Sequence, residues 1–223
     1  MNSIALIEAN GRIYNYNDLI NCLHQIGIGK GDILCVHTEL IALGKPLVSK
    51  NEFLDSIIRA FYEVIGSSGT LIMPTFTYSF CKGQIYDKCN SRSTMGLLTE
   101  YFRHIDGVVR SDDPIFSFAI GGANASEYLI HTPTCFSKGC VYDKLRQNGG
   151  KIVLFGLTHL GYTFTHYIEE QIGVSYRYFK RFSGLIIDES GNESKQSIEY
   201  YVRKLDKNSK ISKNDSNASE TVF

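Results

Sequence analysis

The chain has 223 residues, of which 43% are hydrophobic, and its 23 lysines and arginines balance its 23 aspartates and glutamates. A neutral net charge gives no large basic surface, so a nucleic-acid partner is not expected. The apolar runs are too short to cross a membrane, and the N-terminus lacks a basic region followed by an apolar stretch. The sequence therefore predicts a globular protein of the cytoplasm with no membrane partner.

Short apolar strands alternate with amphipathic helices along most of the chain. The strands are continuously hydrophobic, which is typical of a sheet buried on both faces. Thr94 is a suitable N-cap for the third helix. We therefore predict an α/β fold whose central, mostly parallel sheet is covered by helices on both faces. In chain order the predicted elements are helix 17–27, strand 32–37, helix 51–66, strand 70–74, helix 94–104, strand 116–122, helix 141–150, strand 151–156 and helix 163–172.

The pattern changes after the last of these helices. Residues 179–203 predict two strands around an acidic, glycine-containing turn, which would form a C-terminal antiparallel hairpin. The stretch 206–221 contains only Ile211 and Ala218 as apolar residues. We expect one α/β domain over residues 1–205 and a polar, disordered tail over 206–223.

Polar side chains follow two of the predicted strands at the point where each strand ends. His37 closes the first strand and is followed by Thr38 and Glu39, while Thr75 and Thr77 come after the strand that ends at proline. In open α/β sheets, ligands bind beyond the carboxyl ends of the strands. The two strand ends together favour a binding site at this edge of the sheet.

The segment 163–170 places an imidazole and two carboxylates on one helical face, since residues three and four apart are neighbours. A carboxylate beside His166 would fix its tautomer and stabilise the imidazolium. With an ordinary pKa of about 6.5, a histidine can accept a proton at neutral pH. Two interpretations stay open at this point: a general base, or a structural His–Glu pair on a solvated face. The helical spacing alone does not choose between Glu169 and Glu170.

A series of segments in this chain resembles the aminoglycoside 3-N-acetyltransferases, in that family's order and over roughly residues 27–205. The resemblance implies the fold of that family and acetyl-CoA as the co-substrate that acylates an amino group of a sugar or aminocyclitol. The segments are "GDILCVHTELIALG", "GTLIMPTFT", "STMGLLTEYFR", "RSDDPIFSFAIGG", "CFSKGCVYDKL", "GKIVLFGL" and "TFTHYIEE".

The resemblance also implies roles for individual residues. His166 and Glu169 match the family's catalytic histidine and glutamate, and Thr75 is a candidate donor to the oxyanion, as is Thr165. The coenzyme contacts are predicted at His37, Thr38, Glu39, Leu40, Thr75, Phe76, Thr77 and Ser117. The acceptor contacts are predicted at Tyr78, Asp112, Asp113, Phe116, Glu170 and Arg177. No metal is expected, because the spacing of His131, Cys135 and Cys140 fits none of the usual zinc patterns.

The chain departs from the family's usual pattern in three places. Phe116 stands where the family often has histidine, Glu39 stands where a small hydroxyl is common, and relatives continue with more helical sequence where this chain has its polar tail. The acceptor is therefore either an aminoglycoside or a nucleotide-linked amino sugar for surface polysaccharide, acylated by direct transfer in a ternary complex with His166 as base. The alternative is a catalytically degenerate relative that binds coenzyme A or a sugar without turnover. A homodimer stays open.

Overall fold

The structure is a computed structural model that describes residues 4–156 and 163–204. It contains every helix and strand that the sequence predicts, with shifts of a few residues at their ends. The elements in chain order are β1 (Ala5–Ala9), β2 (Arg12–Asn15), α1 (Tyr16–Gln25), β3 (Ile33–Thr38), β4 (Lys45–Pro46), α2 (Lys50–Ile65), β5 (Thr70–Pro74), β6 (Tyr86–Asp87), α3 (Leu97–Phe102), β7 (Val109–Arg110), β8 (Phe118–Gly122), α4 (Val141–Gln147), β9 (Lys151–Phe155), α5 (Phe164–Ile172), β10 (Arg177–Ile187) and β11 (Glu193–Arg203).

A five-stranded sheet with the order β7-β8-β5-β3-β9 forms the centre of the fold. β3 pairs in parallel with both β5 and β9, as the continuous hydrophobic strands predict. β8 is the exception, since it runs antiparallel to β5 and to β7. The reason is the long connection after β5, which leaves the sheet at Pro74 and returns beside it at Phe118. The predicted α/β architecture is confirmed, with one reversed strand.

Both faces of the sheet are buried, each against a different kind of core. On one face, Leu34 and Val36 pack with the apolar stripe of α2, of which Phe61 and Ile65 are fully buried. Full burial of each such side chain contributes about 1.5–3 kcal/mol. On the other face the core is largely aromatic, and it includes Phe76, Phe116, Phe136, Tyr142 and Tyr200.

Two hairpins flank the central sheet. The C-terminal one is confirmed: β10 and β11 pair antiparallel from Arg177–Arg203 to Ile187–Glu193. β6 extends this second sheet by pairing in parallel with the end of β10. The N-terminal hairpin of β1 and β2, to which β4 adds a third strand, was not predicted. Its strands are short and half-exposed, so the periodicity that marks a buried strand is weak there.

The predicted N-cap of the third helix is wrong. α3 begins at Leu97 with Gly96 as its cap, and the hydroxyl of Thr94 donates instead to the backbone carbonyl of Phe76 at 3.0 Å. Within residues 4–156 and 163–204, none of the helices is long and apolar enough to span a bilayer. The predicted tail 206–223, and with it the domain boundary at residue 205, lies outside the described residues.

Candidate active site

A cleft of about 540 Å³ opens at the carboxyl ends of β3 and β5. The predicted coenzyme segment His37–Leu40 lies along it. A second wall comes from the turn before α3, which the sequence did not single out, because it reads as the beginning of a helix. The lining residues are His37, Thr38, Glu39, Leu40, Ile41, Pro74, Thr94, Met95, Gly96 and Leu97.

The last residue of β9 and the glycine after it pack tightly against the segment that lines this cleft. The backbone N–H of Glu39 donates to the carbonyl of Phe155 at 2.9 Å, and Gly156 follows with φ of +79°. A Cβ at Gly156 would lie 2.3 Å from the carbonyl oxygen of Glu39. Only glycine fits there without displacing the backbone that carries Glu39.

His37 lies at the base of the cleft and is only 4% exposed. Its Nε2 is 3.3 Å from the hydroxyl of Tyr142 and 3.9 Å from Cys35 Sγ, so both polar contacts are neutral. Burial lowers the pKa of His37 to about 4. The ring is therefore uncharged at neutral pH, which suits a group that lines a binding cleft better than one that takes a proton.

The other predicted coenzyme residues are buried rather than exposed to the cleft. Thr75 and Ser117 are fully buried, and their hydroxyls lie 3.1 Å apart. Arg110 Nε donates to both hydroxyls, at 3.2 and 3.1 Å. Phe76 is a core residue, and the hydroxyl of Thr77 donates to the carbonyl of Pro114. Thr75, Phe76, Thr77 and Ser117 are thus held by contacts inside the protein, and their coenzyme contacts and the oxyanion role of Thr75 stay predictions.

His166 and Glu169 come together on α5 as predicted. The Nδ1 atom of His166 is 3.5 Å from Glu169 Oε2, longer than a well-formed hydrogen bond, and the two side chains are 28% and 18% exposed. The imidazole packs among Phe116, Phe136 and Tyr200, with ring centroids 5.8–6.4 Å away. The imidazole is thus held in an apolar environment but remains partly accessible to solvent.

The protonation states of His166 and Glu169 follow from this environment. Burial lowers the pKa of His166, and the hydrogen-bonding contact with Glu169 only partly offsets that effect. Burial opposes ionisation of Glu169, but contacts with His166 and Tyr176 and the charge of Arg177 outweigh it and lower the pKa of Glu169 to about 2. At neutral pH the pair is a neutral imidazole beside a carboxylate, the form in which a histidine accepts a proton.

Glu170 has a different environment from Glu169. One of its carboxylate oxygens accepts a hydrogen bond from the hydroxyl of Thr134, and burial raises the pKa of Glu170. It makes no contact with His166 in the described hydrogen bonds and ion pairs. The structure therefore resolves the choice that helical spacing left open, in favour of Glu169 as the partner of His166.

The predicted acceptor residues are not gathered at one open surface. Asp112 pairs with Lys88 at 2.6 Å, and Asp113 Oδ1 accepts two backbone N–H bonds at 2.8 Å each. Phe116 is 3% exposed, Glu170 binds Thr134, and Arg177 is buried. Tyr78 is half-exposed, its backbone has a positive φ of +56°, and its ring lies 5.7 Å from that of Phe116. Asp113 Oδ1, Phe116 and Arg177 already make contacts inside the protein, and the acceptor roles of these three residues stay predictions.

Tyr176 contacts the His166–Glu169 pair, although the sequence gives no sign of it. The hydroxyl of Tyr176 donates to Glu169 Oε1 at 2.7 Å. Tyr176 lies beyond the end of α5, and no local pattern links a residue there to a helix face. Among the described residues no group of three or more His, Cys, Asp or Glu side chains is arranged to hold a metal ion.

Comparison with known proteins places this geometry in a family. Residues 35–220 match the family described as aminoglycoside 3-N-acetyltransferase. Aminoglycoside N(3)-acetyltransferase VII of Streptomyces paromomycinus is 26% identical over 190 residues, which cover 76% of this chain and 65% of that protein. The chain thus spans about two thirds of the length of this curated relative.

Solved structures share the fold. An AAC-IIIb enzyme in a binary complex with coenzyme A has a TM-score of 0.73 at 23% identity, covering 85% of this chain and 76% of that one. AAC-VIa with bound sisomicin has a TM-score of 0.74 at 17% identity, covering 85% of this chain and 76% of that one. With the family match over most of the sequence, the chain belongs to the aminoglycoside 3-N-acetyltransferase family.

Proposed function

We propose that this protein is an acetyl-CoA-dependent N-acetyltransferase that acylates an amino group of an aminoglycoside or a related amino sugar. The observation that carries the proposal is the His166–Glu169 pair. A neutral imidazole, steadied by a carboxylate and open to solvent, is the group that deprotonates an amine. Family membership and the names of the relatives support the same activity.

The cleft supports acetyl-CoA as the acyl donor. It lies where open α/β sheets bind ligands, beyond the carboxyl ends of two parallel strands. Its exposed apolar rim, with Ile41 90% exposed and Leu97 39% exposed, offers contact to an uncharged chain such as pantetheine. The AAC-IIIb relative, whose fold this chain shares, is described with coenzyme A bound.

In the proposed reaction His166 makes the amine nucleophilic. Nδ1 faces Glu169, which leaves Nε2 to receive a proton from the substrate ammonium, directly or through one water. The free amine attacks the thioester carbonyl, the C–S bond breaks, and the second proton of the nitrogen passes to the leaving sulfur, so that the products are a neutral amide and coenzyme A thiol. Both substrates are bound at once, so their positioning contributes to the rate independently of the base. Some activity should therefore survive loss of the imidazole.

Thiol release tests the proposal. Purified protein is incubated with acetyl-CoA and, in separate reactions, with sisomicin, a kanamycin-type aminoglycoside, and a nucleotide-activated amino sugar. Amine-dependent release of coenzyme A thiol, with the acetylated product seen by mass spectrometry, is the expected result. Thiol release with the nucleotide-activated amino sugar alone would identify the acceptor as a nucleotide-linked amino sugar rather than an aminoglycoside.

The rival function is binding without turnover. It predicts that calorimetry detects acetyl-CoA binding while none of the amines causes thiol release. That outcome would overturn the proposed activity. The intact His166–Glu169 pair is the structural observation against it, because the pair supplies a proton acceptor that binding alone does not require.

A further inference from the structure

The carboxylate of Glu169 is held at both oxygens by residues from outside its own helix. Tyr176 donates its hydroxyl to Oε1 at 2.7 Å. Arg177 Nε lies 2.7 Å from Oε2, closer than His166 Nδ1, which is 3.5 Å from the same oxygen. The N–H of Arg177 is not aligned on Oε2, so this contact is an ion pair rather than a directional hydrogen bond. His166 therefore shares its carboxylate with a permanent cation.

The C-terminal hairpin fixes this cation in place. The side chain of Arg177 is 5% exposed, and its Nη1 donates to the carbonyl of Tyr201 on β11 at 2.9 Å. The hydroxyl of Tyr201 donates back to the carbonyl of Val174 at 2.6 Å. The N–H of Lys204 donates to the carbonyl of Tyr176 at 2.8 Å. The segment that carries Tyr176 and Arg177 is thus tied to β11 at three points.

A shared carboxylate stabilises an imidazolium less than a free one does. Arginine stays charged under all ordinary conditions, and a charge pair out of bulk water interacts more strongly than an exposed one. Other groups facing His166 do not replace this effect. Phe116 and Phe136 are apolar, and Tyr200 stays neutral because burial raises its pKa to about 12. Arg203 on β11 acts in the same direction as Arg177, with a weaker influence.

We propose that Tyr176 and Arg177 are positioning residues that act on His166 through Glu169. They fix the orientation of the carboxylate, and Arg177 neutralises part of its charge, so that the resting imidazole binds a proton less tightly than it would beside an unpaired carboxylate. The catalytic part of this inference rests on the proposed function, whereas the effect on the imidazole is a property of the protein itself.

Histidine NMR tests the effect without any substrate. The imidazole Cε1–Hε1 signals of the six histidines are followed from pH 4 to 9, and the signal of His166 is assigned by its loss in His166→Gln. In Arg177→Met the titration of His166 should move to higher pH, because a cation beside the carboxylate is gone. Tyr176→Phe should give a smaller upward shift, and Arg177→Lys should titrate close to the unmodified protein.

Arg181→Met is the matched control. It removes one positive charge from the same strand, but Arg181 pairs with Glu199 on the exposed face and its side chain is 68% exposed. This variant should leave the His166 titration unchanged. Superimposable His166 titrations in the unmodified protein, Tyr176→Phe and Arg177→Met would overturn the inference. If Arg177→Met fails to fold, Tyr176→Phe decides the inference, and a His166 titration identical to that of the unmodified protein overturns it.

Kinetics then separates this inference from the proposed function. With an amine that the enzyme acetylates, the acid limb of the pH profile of kcat/KM should move to higher pH in Arg177→Met. The shift should equal the shift of the His166 titration measured by NMR. We expect kcat at pH 7 to fall about tenfold while KM for acetyl-CoA stays within about twofold. A merely structural role would lower stability but leave the pH profile in place. An absence of turnover in the unmodified protein would contradict the proposed function. The NMR titrations would still test the effect of Tyr176 and Arg177 on His166, because they need no substrate.

Discussion

The two sides of the proposed site hold their polar groups by different means. Beneath the cleft, Arg110 donates only to neutral oxygens: the hydroxyls of Thr75 and Ser117 and three backbone carbonyls. Beside α5, Arg177 pairs with the carboxylate of Glu169. The first arrangement fixes the shape of the backbone at the strand ends. The second controls charge, and it is the one that faces a titrating group.

The two histidines of the proposed site show the consequence of this difference. His37 has neutral neighbours, and burial lowers its pKa to about 4. His166 is half-buried among aromatic rings, but its carboxylate partner offsets part of the cost of protonation. A ring without a carboxylate is locked in its neutral form, while a ring with one can take up a proton transiently. We therefore expect proton transfer at α5 and ligand binding at the end of β3.

Among the variants that test this difference between the two histidines, replacement of His166 should have the largest effect on kcat. His166→Ala is expected to lower kcat about a hundredfold or more, because the amine loses its proton acceptor. The measurement is initial-rate thiol release across pH 6 to 9 with saturating acetyl-CoA. Near-normal turnover over that range would exclude the base role, and a matching loss in His37→Ala would show that the two rings are not functionally distinct.

Arg110→Lys tests the neutral side of the site. A lysine ammonium cannot reproduce the fork of donors that reaches Thr75, Ser117 and the carbonyls of Lys88 and Ser91. Buried acceptors left unpaired should lower the free energy of unfolding by about 2 kcal/mol, measured by denaturant titration. Arg181→Lys, on an exposed pair, is the control and should change it by less than about 0.5 kcal/mol.

Glu169→Gln tests the charged side. The variant keeps the size of the side chain but removes the charge that stabilises the imidazolium, so kcat should fall about tenfold. In the unmodified protein the pKa of Glu169 is lowered to about 2 from 4.5, so the carboxylate stabilises the fold above pH 4.5. That contribution is lost as the pH falls towards 2. Thermal unfolding at several pH values should therefore show a smaller acid-induced loss for Glu169→Gln.

Glu100→Gln provides the matched control. Burial opposes ionisation of Glu100, but bonds from Arg103 and the backbone of Ser93 lower its pKa to about 2 as well. Both variants should flatten the acid limb of stability, yet only Glu169→Gln should change kcat. Equal kinetic losses in the two variants would mean that the effect of Glu169 is a general one on stability.

Much of the fold could be predicted because the central strands are continuously apolar and the helices carry one apolar stripe. The reversal of β8 could not, since strand direction depends on where the connection after Pro74 returns to the sheet. The N-terminal hairpin was missed because half-exposed strands give a weak pattern.

The contacts of the site likewise divide into some that the sequence predicts and some that it does not. His166 and Glu169 could be paired from helical spacing and the family's order, and the structure brings them within 3.5 Å. Tyr176 could not, because its contact with Glu169 depends on how β10 packs after α5. Nor does the sequence show that Thr75 faces inward. Directly after a strand end, a threonine can point either way, and the hydroxyl of Thr75 points inward to Arg110.

The smallest effect is expected for His37→Gln, and it lies in the pH dependence of stability. The pKa of His37 is about 4 in the folded protein and about 6.5 in an unfolded chain. Between these values the unfolded chain binds a proton at residue 37 and the folded protein does not, so acidification favours unfolding. Glutamine cannot titrate, so the melting temperature of the variant should fall less between pH 7 and pH 4.5.

Because His37 does not transfer the proton, kcat should stay within about threefold while KM for acetyl-CoA rises. An unchanged slope of melting temperature against pH would show that His37 is protonated in the fold, and its assignment to binding alone would then fail.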